Sequence, residues 1–150
     1  MCVFCDIVQG KAPCHQIWEN DQCIAFLSIF PNTEALSVVA LKEHYPSNIF
    51  SLELVPYQTL LQAAREVGRL LEKQLQVARC AMIAEGMGVA HAHLQIIPLH
   101  GLQKKQSNCD FERPGYRFDS YPGYVSSHEG QRADEKDLQR LAEKIRGKSM

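Results

Sequence analysis

The chain has 150 residues, of which 45% are hydrophobic and 22% charged, and a formal net charge of −1. That length suits one compact domain rather than two, and the mix is that of a folded globular protein, not a disordered one. Near-neutral charge supplies no general basic field for a nucleic-acid backbone or an anionic membrane, so any phosphate recognition has to be local. In chain order, a Cys2-x-x-Cys5 pair comes first, followed by "GKAP", a turn bracketed by glycine and proline. "HQIWEN" and "CIAFLSI" read as two strands of a hairpin around "DQ", "FPNTE" as a loop, "ALSVVAL" as a strand rich in β-branched residues, and "KEHYPSN" as a loop broken by Pro46. From Leu54 to Val77 apolar residues recur every three or four positions, which predicts a long amphipathic helix, with Pro56 near its start where a missing N–H is harmless. "CAMIAEG" and "HAHLQIIPL" are the next strands, on either side of "GMG". Residues 101 to 133 carry little periodicity and much Gly, Pro, Ser and Tyr, which predicts a long loop. Residues 134 to 147 predict a C-terminal helix with acids in its first turn and bases in its last.

The fold class expected from this order is α+β in one domain over residues 1–150: an antiparallel sheet of about five strands, one long helix and a C-terminal helix. The longest uncharged apolar runs fall far short of the roughly 20 residues a bilayer-spanning helix needs, so no membrane association is expected. "MCVFCDIVQG" has neither the basic start nor the apolar stretch of a secretory signal, and a cytoplasmic location is expected. In a reducing compartment the six cysteines, Cys2, Cys5, Cys14, Cys23, Cys80 and Cys109, read as thiols or metal ligands rather than a disulfide set, with Cys23 and Cys80 as plain core residues.

The stretch "GMGVAHAHLQIIPLH" carries the chemistry. Side chains alternate across a strand, so His91, His93, Gln95 and Ile97 share one face while Ala92, Leu94, Ile96 and Pro98 share the other. The bland alternative is two histidines on a half-exposed strand. Four segments in order speak against it: "CVFCDIVQGKAP", "WENDQCIAFLSIFP", "LSVVALKEHY" and "HAHLQIIPLH" resemble the motifs of the histidine triad (HIT) superfamily of nucleotide hydrolases and transferases, whose mark is His-x-His-x-His.

The resemblance implies that His93 takes the place of the family nucleophile, an imidazole that attacks the α-phosphate of a nucleotide or dinucleoside polyphosphate to form a nucleotidyl-histidine. The glycine-rich run with Gly86, Gly88 and Val89 would supply backbone N–H groups around the phosphate. Gln95 replaces the third histidine. An amide cannot act as a general acid, although it can hydrogen-bond a phosphate oxygen, so the variant points to leaving groups that need no proton. It is similar to the His-x-His-x-Gln branch that contains galactose-1-phosphate uridylyltransferase and the dinucleoside polyphosphate phosphorylases. Ser28 stands where family members carry an acid that holds the ribose, Ala35 and Leu36 replace a Gly-His pair, and Met87 and Gly88 replace a Gln and a Ser. Such losses keep open a second reading, a non-catalytic nucleotide-binding or regulatory module, and a third, a zinc-stabilised interaction domain.

Two thiols at Cys2 and Cys5 are half of a tetrahedral zinc site. In a metal-bearing branch of the family two histidines complete it, and the matching positions are His44 and His91, which implies a structural Zn2+ with four protein ligands. Free thiols near the terminus are the alternative. The resemblance also implies a homodimer. His15, His100 and His128 read as solvated, with reach into the site the alternative for His100 just past the signature strand, the Lys104–Lys105 pair reads as a solvated face, and Tyr116, Tyr121 and Tyr124 as either a lid or anchors of a surface loop. The base and sugar of the substrate, and hydrolysis versus transfer, are not legible.

Overall fold

A computed structural model describes residues 2–102, 119–120 and 131–147. Its elements are α1 (Val3–Val8), β1 (Gln16–Glu19), β2 (Cys23–Leu27), β3 (Ser37–Leu41), a 3-10 turn at Ile49–Ser51, α2 (Leu54–Leu75), β4 (Cys80–Ile83), β5 (His93–Pro98) and α3 (Glu135–Ile145). The five strands form one antiparallel sheet in the order β1-β2-β3-β5-β4. The expected α+β architecture is therefore present, with the C-terminal helix two residues shorter at its end than residues 134–147 suggested. Most of the expected 101–133 loop lies outside the described residues, as do Cys109, His128, Lys104, Lys105, Tyr116, Tyr121 and Tyr124. No described helix is long and apolar enough to cross a membrane.

β2 and β3 are buried at every position because both faces of the sheet are covered. One face carries the main core: Ala25 and Leu27 of β2, Val39 and Leu41 of β3, and Leu94 and Ile96 of β5 meet Leu60, Ala63, Ala64, Val67 and Leu71 of α2. Those α2 positions repeat at three and four residues, so they form one stripe. α3 joins the same cluster with Leu138, Ala142 and Ile145, spaced i, i+4, i+7. Its start is set by Asp134, whose carboxylate accepts from the backbone N–H groups of Lys136 and Asp137. Pro56 occupies the third helical position of α2, still within the turn whose N–H groups have no helical partner.

The opposite face holds a smaller cluster, Phe4 of α1 with Ile24, Phe26, Val38 and Ala40. α1 was not expected from the sequence: six residues are too few for periodicity, and isolated helices of that length do not persist in water. Phe4 and Ile7 packing onto the sheet is what orders it. His15 also differs from expectation. Its side chain is mostly buried and its Nε2 lies 2.8 Å from Glu135 at the start of α3. Arg146, at the other end of α3, donates to the carbonyl of Gln16, so α3 is tied to β1 at both ends.

Candidate functional site

β5 begins at His93, and His91 precedes it in a bend, yet the expected alternation holds across both. Ala92, Leu94 and Ile96 enter the main core, while His91 and His93 face α1 and Ile97 joins Leu36 and Leu99 in a third small cluster. The polar side chains thus occupy the sheet face that α2 and α3 leave uncovered, between two apolar patches.

His93 is buried, with 7% of its surface exposed. Its Nδ1 is 2.6 Å from the carbonyl oxygen of His91. A carbonyl only accepts, so Nδ1 carries the proton and the lone pair resides on Nε2. The Phe4 ring lies edge-to-face against this imidazole, with centroids 5.1 Å apart and planes at 86°. Gln95 follows on the same face, paired with Val38 on β3 and Ile83 on β4. Its Oε1 is buried without a hydrogen-bond partner among the described residues, and an unmet buried acceptor costs about 1–3 kcal/mol. Such a group is a natural contact for a ligand donor, or, with the amide turned over, for a phosphate oxygen.

The remaining residues expected at a nucleotide site take different roles. Ser28 Oγ accepts from the N–H of Phe30 at 3.1 Å, which engages the hydroxyl in its own turn. Gly86 has φ +71°, and a Cβ there would come 2.5 Å from the Ser47 carbonyl oxygen, so glycine at this position is required by the approach of two loops. Gly88 faces open space, and Val89 packs its side chain beside the α1 cluster. Ala35 has φ +63°, a conformation that favours glycine, at the place where the family motif has one. His100 is not free either: its Nε2 donates to the Glu34 carbonyl at 3.0 Å.

Cys2, Cys5, His44 and His91 converge from three segments, with one donor atom of each within 4.8 Å of all the others. Cys2 caps α1 and Cys5 lies three residues on, so both thiols sit on one side of its first turn. His91 Nδ1 is 3.4 Å from Cys2 Sγ and 3.6 Å from Cys5 Sγ, and His44 Nδ1 is 3.4 Å from Cys5 Sγ. Zinc bonded to sulfur at about 2.3 Å and nitrogen at about 2.0 Å in a tetrahedron would set those sulfur–nitrogen edges at about 3.5 Å. His91 Nε2 donates to the Leu41 carbonyl at 2.7 Å, so its Nδ1 presents a lone pair to both sulfurs at once. That arrangement fits a shared cation with an oriented outer partner.

The electrostatics agree. Burial, against the opposing bond to Leu41, keeps His91 below the ordinary imidazole range, with His44 and His93 adding to the effect. Desolvation, then Cys2 and Asp6, raise the Cys5 thiol above its usual value, so without a cation the Cys5 sulfur prefers the protonated form. Burial pushes Cys23 to about 11 and Cys80 to about 12, and both pack in or against the main core as expected of plain core residues.

A family model for the HIT domain matches residues 9–102. An HIT-like protein of Saccharolobus solfataricus is 31% identical over 104 residues, 65% of this chain and 73% of the relative. The adenylylsulfatase HINT3 of Arabidopsis thaliana is 27% identical over 116 residues, 72% of this chain and 54% of the relative. Among solved structures, a zinc-bound histidine triad family protein of Mycobacterium smegmatis superposes with TM-score 0.68 at 21% identity, over 98% of this chain and 91% of that one, which shows the shared fold. With the match of the HIT model to most of the chain, and with four sequence motifs meeting around one strand, the protein belongs to the HIT domain family.

Proposed function

We propose that this chain is a nucleotide hydrolase or nucleotidyltransferase that works through a covalent intermediate on His93. The observation that supports it is the His93 Nδ1–H bond to the His91 carbonyl, which leaves Nε2 with an available electron pair. In the first step that pair attacks the α-phosphorus, an N–P bond forms, and the P–O bond to the leaving group breaks with its electrons going to the departing oxygen. The positive charge that develops on the ring is shared with the His91 carbonyl through the Nδ1–H bond. In the second step an oxygen of water or of another acceptor attacks phosphorus, its proton is released to solvent, and the N–P electrons return to Nε2.

Gln95 contributes a hydrogen bond to the phosphoryl group and no proton. The leaving group must therefore depart as a stable anion, a phosphate, polyphosphate or sulfate, rather than as an amine. The adenylylsulfatase among the relatives is named for a substrate of that kind. Gly88, with open space beside it, and the backbone of Val89 are the nearest candidates to cradle the phosphate, while Gly86 acts by letting the loop reach Ser47. Ser28 Oγ accepts from the Phe30 N–H but keeps its own O–H to donate, and it is the candidate ribose contact.

The same reading gives the Cys2, Cys5, His44, His91 centre a structural zinc ion. Four protein donors leave no open coordination position, so bound zinc supplies charge neutralisation and a cross-link rather than a reactive centre. It also includes a homodimer: β4 is an edge strand with Met82 exposed, whereas the other edge, β1, is engaged by Arg146.

The test is to mix the protein with a dinucleoside polyphosphate radiolabelled at the α-phosphate, quench in base and isolate the protein. Label on the wild type that His93→Ala lacks supports the reading. Saturable nucleotide binding with no label on the wild type instead indicates a binding module on the same scaffold.

A further inference from the structure

Phe4 lies between the two thiols of the cysteine pair in sequence and against both histidines of the signature in space. Its ring is edge-to-face with His93 at 5.1 Å and 86°, with His91 at 5.7 Å and 72°, and with Phe26 at 5.3 Å and 69°. It is buried, and with Ile7 and Val8 it is what α1 offers the sheet. A helix of six residues cannot hold such a position by its own backbone bonds. What else holds α1 is the Cys2–Cys5–His44–His91 cluster, reached from the helix's own first turn.

We propose that Phe4 is a positioning residue for the His93 imidazole, and that the cysteine–histidine centre governs it by clamping α1 to the sheet. The inference rests on the reading of His93 as nucleophile and of the four donors as a metal centre, and it adds a link between the two. Two paths join them. The first is through the backbone: the residue whose ring is a donor in the centre, His91, is also the residue whose carbonyl accepts from His93 Nδ1 at 2.6 Å. The second is through packing: Cys2 and Cys5 fix α1, α1 carries Phe4, and Phe4 closes one side of the His93 ring. A ring held by one hydrogen bond can still pivot about it. A perpendicular aromatic neighbour removes that freedom and favours one face orientation over the others. With zinc the clamp is closed. Without it α1 keeps only the apolar contacts of Phe4, Ile7 and Val8, and the His93 ring gains alternative orientations and the second neutral tautomer.

The readout is the imidazole of His93 itself, followed by nitrogen-15 NMR on full-length protein labelled at histidine, at one fixed pH, with His93→Gln used to assign the signal. In zinc-loaded wild type a single Nδ1–H tautomer is expected, with slow exchange of that proton. Phe4→Leu keeps a buried apolar side chain and lacks the ring. With zinc still bound at the wild-type stoichiometry by elemental analysis, it should raise the population of alternative ring states roughly tenfold, the size of one aromatic contact. Stripping zinc from the wild type with a chelator should produce the same change, and re-adding zinc should reverse it. This second arm needs no substitution and holds even if Phe4→Leu folds poorly. Should the His93 signal be identical in loaded wild type and loaded Phe4→Leu, or unaffected by removing zinc from the wild type, the link does not exist. Failure of the nucleophile reading would instead show as absence of label on wild-type protein, which leaves the NMR comparison intact.

Discussion

The two faces of the sheet are stabilised in different ways. One is sealed by α2 and α3 through a continuous apolar cluster that draws on every strand except β4 among its fully buried members. The other carries a short helix, a five-residue apolar cluster and four metal-type donors, with the signature histidines between them. The first face needs nothing beyond hydrocarbon burial. The second has a smaller apolar cluster, and under the proposed zinc clamp its stability and the placement of His93 would depend on a cross-link. Polar chemistry sits on the weaker face because a buried imidazole with an available nitrogen cannot be packed as densely as Leu71 or Val67 without losing access to it.

The difference is open to direct attack, and the largest effect should come from the hydrocarbon face. Leu71→Ala leaves a cavity under α2, and a loss of about 3 kcal/mol is expected in urea or thermal unfolding. That loss should be the same with and without chelator, since Leu71 lies on the far side of the sheet. Metal removal should act on the other face. If zinc is present at a hundredfold over its dissociation constant, stripping it lowers stability by about 2.7 kcal/mol by mass action, and His44→Ala should abolish stoichiometric zinc in elemental analysis. Equal melting temperatures with and without chelator would contradict the contrast between the faces.

Acid should weaken the same face. Because His91 is held below its ordinary value in the folded protein, its contribution is complete above about pH 6.5, the unfolded value, and is lost as pH falls below it. Melting curves of chelated protein across that window test the sign. A smaller, favourable change is expected from Gln76→Gly at the end of α2. Gln76 is exposed with φ +56°, and glycine there should add about 1 kcal/mol on the hydrocarbon face without touching the site. The smallest effect should be that of Glu135→Gln, which breaks the pairing with His15 at a mostly exposed carboxylate. A few tenths of a kcal/mol is expected, because Leu138, Ala142 and Ile145 hold α3 in place.

Hydrophobic period and motif spacing determined a good deal of this protein. The α2 stripe, the five strands, the two-face split of His91 to Pro98 and the four residues of the donor cluster are all written in local spacing or in motifs that survive as strings. Tertiary structure decided the rest. α1 is invisible to a periodicity argument because six residues span less than two turns, and only the sheet beneath Phe4 makes it a helix. The engagement of Ser28 by Phe30, the need for glycine at Gly86 opposite Ser47, and the burial of His15 against Glu135 all join atoms through space that no pattern along the chain connects. Phe4 is the plainest case. As a letter in "CVFC" it is one apolar residue among many, and it becomes the neighbour of His93 because a folded sheet brings residues 89 positions apart into contact. Local sequence carries propensity and pattern, whereas contacts between distant segments arise from how buried surfaces and polar donors fit together once the chain has closed on itself.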